Sequence, residues 1–321
     1  MRTTPCAVFS RAEARAAGWS DSALTRAARA GRIHRLRRDR FTIADEAHLP
    51  VLAAVAAAQV CAGSVISHRS AALVHRLPVL TLPPRPEITV PPHGTGGTAG
   101  ALLHRATLRA ADVTSVDEAP VTSIARTLVD IGRSTPNAAA VITMDAAPHR
   151  GLTTDSELDD VVLACWNWPG IRRAVRALDR ADGRAESPLE SISRLVLRWL
   201  GLPMADLQAE LHDEFDVLVG RADFYWPEYG VVGEADGHMK YDGRAALLDE
   251  KRRQERLEQL GLIVVRWDWA DVTRRPNQLR ERIESAFERG RLRDRSGFPR
   301  AWSVRVTASG HRRGRRDQTT D

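Results

Sequence analysis

The chain has 321 residues, of which 43% are hydrophobic and 27% charged, a balance typical of a folded protein of two or three domains. No apolar run approaches the roughly 18 residues of a membrane-spanning helix, and the N-terminus lacks a secretory apolar core. We therefore expect a cytoplasmic protein with no membrane partner. Cys6, Cys61 and Cys165 lie far apart, which excludes a disulfide framework and a cysteine-based zinc site.

The net charge of +6 is unevenly distributed along the chain. Residues 1–49 carry ten arginines against five acids, and residues 291–321 carry nine against three, so both ends are basic and the middle is acidic. Basic ends favour contact with a polyanion, most simply nucleic acid, whose affinity falls as salt rises. For the tail at 291–321, a genome that encodes arginine freely is the alternative explanation.

Two short helices followed by a hairpin are predicted in residues 1–49. A capping box at residues 10–13 starts the first helix, the second covers about 21–30, and residues 32–43 alternate around a polar turn. This order predicts a winged helix-turn-helix domain. Seven arginines stand where such a module contacts phosphates and grooves: Arg26, Arg29, Arg32, Arg35, Arg37, Arg38 and Arg40. A basic face that contacts only solvent is the alternative.

Residues 50–182 are predicted to form a mixed middle domain. Its expected helices cover 51–61, 70–76, 123–131 and 137–146, and its expected strands cover 86–90 and 101–108. Thr154 and Glu157 cap a further helix, and the next helix carries Arg172, Arg173 and Arg176. No catalytic signature is present, and His68 and His75 lack an acid at metal-ligand spacing, so they receive no role.

Residues 183–290 contain the elements of an α/β domain, followed by a basic tail at 291–321. Ser187-Pro-Leu-Glu190 is a capping box that starts a helix, so Glu190 could act only as a cap. Strands at 217–226 and 231–236 form a hairpin, and a charged helix, a buried strand at 262–267 and a final helix follow. The predicted fold class is mixed α/β, with a sheet flanked by helices at the C-terminus.

The predicted hairpin brings two acids together. Pairing the residues that flank its turn places Asp223 opposite Glu234. Two carboxylates about 5 Å apart repel each other by about 3 kcal/mol at an effective dielectric constant of about 20. A divalent cation, Mg²⁺ by default, would offset this repulsion. A register shifted by two residues, with Arg221 opposite Glu234, and an Arg221–Asp236 ion pair in the unshifted register are the alternatives.

Two family resemblances follow from these motifs. Glu190, Arg221-Ala-Asp223 and Glu234-Ala-Asp236-Gly, before a basic helix and a buried strand, resemble the PD-(D/E)XK nuclease fold, specifically its very-short-patch-repair-like endonuclease domains. The winged helix, with SHRSAAL and PVTSIARTLVD behind it, resembles the abortive-infection type IV antitoxin family. The second resemblance adds a toxin or operon partner protein to the expected DNA partner.

The nuclease resemblance implies a metal-dependent endonuclease. Asp223 and Glu234 would bind Mg²⁺ or Mn²⁺, and Glu190 would assist through the metal or its water. The metal would activate a water for attack on a DNA phosphodiester bond. Asp236, which we include among the catalytic candidates, stands where the family has its signature lysine.

The missing lysine has two candidate replacements. The 47 basic residues include only two lysines, Lys240 and Lys251. Their rarity suggests that an ammonium group is needed locally. The alternative is that both lysines are present by chance. Lys251, on the following helix, is the expected catalytic lysine. Lys240 is second, and we assign it to nucleic-acid contact. If neither reaches the site, the alternative is a non-catalytic DNA-binding regulator or antitoxin-like protein with a degenerate nuclease fold.

Overall fold

The computed structural model describes residues 8–93, 100–213, 215–236, 254–293 and the backbone of 302–303. The chain forms two compact units: residues 1–143 with 151–178, and residues 144–150 with 179–321. The described residues form three sheets with surrounding helices, which confirms the predicted mixed α/β class. The domain boundaries drawn after residues 49 and 182 stay predictions. Among the helices in the described ranges, none is long and apolar enough to cross a bilayer.

The first unit begins with the predicted winged-helix order. Helix α1 (Arg11–Ala16) starts at a complete capping box between Ser10 and Glu13, and α2 (Asp21–Arg29) starts at Ser20. Strands β1 (His34–Arg37) and β2 (Arg40–Thr42) pair antiparallel as the wing. One apolar cluster joins the helices to the wing: Ala14, Leu24, Ala27, Ile33 and Phe41.

A five-stranded sheet forms the rest of the first unit, in the order β5-β4-β3-β7-β6. Its strands are β3 (Val65–Ile66), β4 (Glu87–Val90), β5 (Leu102–Arg105), β6 (Val113–Val116) and β7 (Ala119–Thr122). The sequence predicted β4 and β5 but not β3, β6 or β7. The helices are α3 (Leu49–Gln59), α4 (His68–Val74), α5 (Ile124–Ser134), α7 (Asp155–Ala164) and α8 (Ile171–Leu178). Helix α6 (Asn137–His149) begins in this unit, and its residues from 144 onward belong to the second unit.

Among the described residues, the histidines and cysteines that the sequence excluded as metal ligands make packing contacts or hydrogen bonds in the first unit. His68 is buried and stacks on His104, with ring centroids 3.5 Å apart. A ring nitrogen of His75 lies 2.7 Å from the carbonyl oxygen of Thr122. Cys61 and Cys165 are buried and not bridged, while Cys6 lies outside the described residues.

The second unit contains a five-stranded sheet in the order β11-β10-β9-β8-β12. Its strands are β8 (Asp206–His212), β9 (Leu218–Trp226), β10 (Val231–Ala235), β11 (Ile263–Trp267) and β12 (Trp302–Ser303). Its helices are α9 (Pro188–Trp199), α10 (described at 254–259), α11 (Trp269–Arg274) and α12 (Pro276–Leu292). Strands β8, β9 and β10 are antiparallel neighbours, and β11 is parallel to β10. The sequence missed β8, whose regular backbone is interrupted at Gln208, where φ is 54°.

One face of this sheet is aromatic. Phe224 packs against Trp267 with ring centroids 5.1 Å apart, and the indole N–H of Trp267 donates to the Ser193 hydroxyl on α9 at 2.8 Å. Gly233 leaves room for this cluster, since a Cβ atom there would lie 2.4 Å from the Trp267 ring. Because side chains alternate along a strand, Glu234, the next residue after Gly233, points to the opposite face.

Candidate nucleic-acid interface and nuclease-like site

The winged helix presents a set of uncompensated positive charges. Arg37 and Arg40 are partly buried, and Arg40 donates to the side-chain oxygen of Gln59 at 3.2 Å. Burial lowers the pKa of Arg37, and the neighbouring charge of Arg40 lowers it further. The other predicted arginines are exposed and have no carboxylate partner within the described ranges: Arg26, Arg29, Arg32, Arg35 and Arg38.

Hydrogen bonds fix the wing in place, and ion pairs neutralise Asp21 at the start of α2. The Asp39 carboxylate at the wing tip accepts the backbone N–H of Arg11 at 2.9 Å, which ties the wing to the start of α1. Asp21 pairs with Arg11 and Arg15, and hydrogen bonds from Arg15 and then Arg11 lower its pKa to about 2. The first turn of α2 is therefore neutralised, whereas its last turn, with Arg26 and Arg29, stays positive.

The second unit aligns polar residues in one row across its sheet. The β8–β9 register places Gln208 level with Asp223. The last pair of the β9–β10 ladder places Asp223 beside Glu234, and Glu234 pairs with Arg266 on β11. The row therefore runs from Gln208 through Asp223 and Glu234 to Arg266. This register is the predicted one, and the register shifted by two residues is wrong.

Glu190 on α9 joins this row through Gln208. One Glu190 carboxylate oxygen accepts the side-chain N–H of Gln208 at 2.8 Å and the backbone N–H of Glu186 at 2.9 Å. The Ser187 hydroxyl accepts the backbone N–H of Glu190 at 3.2 Å. The predicted capping box is therefore only half formed, because the Glu190 carboxylate bonds to Glu186 and Gln208 instead of to the backbone of Ser187.

The two strand acids have different partners. Asp223 Oδ2 accepts the backbone N–H of Ala235 at 2.9 Å. Glu234 is 4% exposed, and its Oε2 accepts the Arg266 Nε–H at 2.7 Å. The same Arg266 nitrogen lies 3.5 Å from the carboxylate of Asp236. The sequence interpretation missed Arg266, although a single arginine in an otherwise apolar buried strand was a signal that could have identified it.

The predicted alternative ion pair of Arg221 is replaced by a different one. Arg221 donates to Glu186 at 2.6 Å, and Arg266 supplies the contact to Asp236. The physical reason is position, because Glu186, just before α9, lies within ion-pair distance of Arg221, whereas Asp236 lies beside Arg266. The proposed lysines, Lys240 and Lys251, both lie outside the described residues.

The polar row offers oxygen atoms of the kind that bind a hard cation. Across the described part of the chain, no group of three His, Cys, Asp or Glu residues is arranged to hold a metal ion. Mg²⁺, however, keeps several water ligands and commonly uses one or two carboxylates. The Oε1 atom of Gln208 is buried and has no hydrogen-bond partner in the described part of the protein. Asp223, Glu234 and this amide oxygen are chemically suitable ligands, and the Arg266 guanidinium is a competing internal cation.

Comparison with known proteins supports the regulator part of this architecture. Residues 7–38 match the family model described as "Transcriptional regulator, AbiEi antitoxin". The N-terminal winged helix is thus of the class found in antitoxin-like transcriptional regulators. The match covers α1, α2 and β1, the segment that contains six of the seven predicted arginines and the start of the wing.

Two relatives come from Mycobacterium tuberculosis: the uncharacterized protein MT2308 of strain CDC 1551 / Oshkosh and the uncharacterized protein Rv2248 of strain ATCC 25618 / H37Rv. Each is 33% identical over 195 residues, which are 61% of this chain and 71% of the relative. The chain belongs to the family of these two proteins. The crystal structure of the RV2827C protein from Mycobacterium tuberculosis has a TM-score of 0.37 and 20% identity, covering 56% of this chain and 73% of that one.

Proposed function

We propose that the protein is a cytoplasmic DNA-binding regulator that contacts duplex DNA through its winged helix. The observation that carries this proposal is the set of five exposed arginines on α2, the turn after it and the wing, which have no carboxylate partner among the residues that the structure describes. Such guanidinium groups bind phosphates at little desolvation cost and release counterions from DNA. The antitoxin-like match supports a target in the promoter of the protein's own operon and a toxin encoded beside it as partner.

The test is the salt dependence of binding to a promoter duplex, measured by fluorescence anisotropy. Replacing Arg29 or Arg35 by Gln removes one phosphate contact each, so the slope of log K against log salt should become about one unit shallower per contact. Arg15→Gln is the matched control, because Arg15 lies in the same winged helix but is already paired with Asp21. Equal slopes for all three variants would contradict the proposal.

A second candidate function, metal-dependent DNA hydrolysis, is favoured by the polar row in the second unit. In this candidate Asp223 and Glu234 hold Mg²⁺ or Mn²⁺, with Gln208 Oε1 as a further oxygen donor. The metal would supply a water of lowered pKa and neutralise charge on the phosphate. Glu190 orients Gln208 through their hydrogen bond, and Lys251, with Lys240 second, would supply the missing ammonium group.

The hydrolysis candidate is tested with supercoiled plasmid incubated with Mg²⁺, Mn²⁺ or EDTA. Metal-dependent nicking that is lost in Asp223→Asn and Glu234→Gln would support it. Glu284→Gln is the matched control, since Glu284 is an exposed acid of the same unit whose partner is Arg280. Intact duplex binding without nicking would leave the regulator function and a degenerate nuclease fold.

A further inference from the structure

A basic aromatic pocket in the first unit is not used by either proposed function. It is an open depression of about 400 Å³ around the loop before α8 and the outer face of that helix. Trp166 and Trp168 line it together with three exposed arginines, Arg172, Arg173 and Arg176. Trp166 is 60% exposed, although a large apolar side chain is normally covered. Within the described residues, the three arginines have no carboxylate partner.

The loop that carries the tryptophans is firmly anchored to α5. The guanidinium groups of Arg126 and Arg133 lie 4.5 and 4.9 Å from the centre of the Trp168 ring, and Arg133 donates to the Pro169 carbonyl oxygen at 2.9 Å. Gly170 has φ of 82°, and a Cβ atom there would lie 2.5 Å from the Arg133 carbonyl oxygen. The pocket wall is therefore preorganised, while the Trp166 ring stays open to solvent.

The chemistry of the pocket fits an unpaired nucleotide. Residues 172 and 176 are separated by one helical turn, so their guanidinium groups lie on the same face of α8 and can reach one phosphate chain. An exposed indole beside guanidinium groups is the combination with which proteins bind single strands, since a base stacks on the ring while arginines contact the backbone. A duplex hides its base faces by internal stacking. The volume also lies in the range of small-ligand pockets, about 300–1,000 Å³.

We propose that this pocket binds single-stranded nucleic acid by stacking one base on Trp166 and holding its phosphates with Arg172, Arg173 and Arg176. The site is separate from the winged helix, which contacts duplex DNA. Substitutions in the pocket and in the winged helix should therefore weaken single-strand binding and duplex binding independently.

The test uses the full chain and a fluorescein-labelled twelve-nucleotide oligothymidylate in an anisotropy assay. Trp166→Ala should weaken binding about 5- to 150-fold, the range expected for loss of one base–aromatic stack. Trp199→Ala is the matched control, because Trp199 is 75% exposed in the second unit and should leave affinity unchanged. Arg172→Gln with Arg176→Gln should weaken binding and make its salt dependence shallower.

Three results would overturn the proposal. Unchanged affinity in Trp166→Ala would show that no base stacks there, even if the arginine variant binds more weakly. Loss of oligothymidylate binding in Arg29→Gln with Arg35→Gln would assign the single strand to the winged helix. Binding to vesicles of phosphatidylserine and phosphatidylcholine, lost in Trp166→Ala, in the absence of oligothymidylate binding would identify the pocket as a lipid-surface site.

Discussion

Replacing Arg126 by Met should destabilise the first unit strongly, because Arg126 is the centre of a buried chain of charges. Its side chain is 2% exposed, and it donates to Asp130 at 2.8 Å and to Asp112 at 3.1 Å, both of which are 1% exposed. Arg109 and Arg133 hold the outer sides of these two acids. Removing the central guanidinium leaves each of the two buried carboxylates with a single arginine side chain as ion-pair partner among the described residues.

The magnitude follows from that geometry. Removing one partner of a buried ion pair costs about 3–5 kcal/mol, and the remaining partners place the expected loss near the lower end, about 3 kcal/mol. For a unit of this size, that loss lowers the melting temperature by about 6–12 °C. The assay is calorimetric unfolding beside Arg15→Met, which removes an exposed ion pair and should change the melting temperature far less. Equal melting temperatures for the two variants would refute a stabilising role of the buried charge chain.

Three further predictions concern pH and packing. Burial, and then the neighbouring His104, hold the pKa of His68 well below 6.5, so the unfolded chain binds more protons than the folded one at lower pH. The free energy of unfolding should therefore fall as the pH drops below about 6.5. Unfolding measured at several pH values should show a less steep fall in His68→Asn. The pKa of the Asp21 carboxyl, measured by NMR, should be about 2 and should rise in Arg15→Met. An unchanged pKa in that variant would show that Arg15 does not pair with Asp21. Gly233→Ala should lower the free energy of unfolding by about 1–3 kcal/mol, because its Cβ would meet the Trp267 ring. An unchanged free energy of unfolding in a urea titration would show that the aromatic face can rearrange.

The hairpin and the helices with strong caps were predictable from the sequence. The alternation along β9 and β10 and the four-residue turn between them determine the register that places Asp223 beside Glu234. Capping residues similarly marked α1, α7 and α9. These signals are local, so they survive without knowledge of the tertiary fold.

The remaining parts of the candidate site depend on contacts that are distant in sequence. Gln208 lies on β8, which the sequence pattern does not reveal, and its backbone φ of 54° departs from the extended conformation of a regular strand. Arg266 meets Glu234 only because β11 lies parallel to β10. The PVTSIARTLVD segment was singled out only as a family resemblance, since nothing local shows that Arg126 and Asp130 are buried.

Anisotropy titrations of a promoter duplex over a range of salt concentrations measure DNA binding by the winged helix. We predict tight binding whose salt slope becomes about two units shallower when Arg29 and Arg35 are both replaced by Gln, with Arg15→Gln matching the wild type. A wild-type slope near zero, or a double variant with the slope and affinity of the wild type, would contradict the claim.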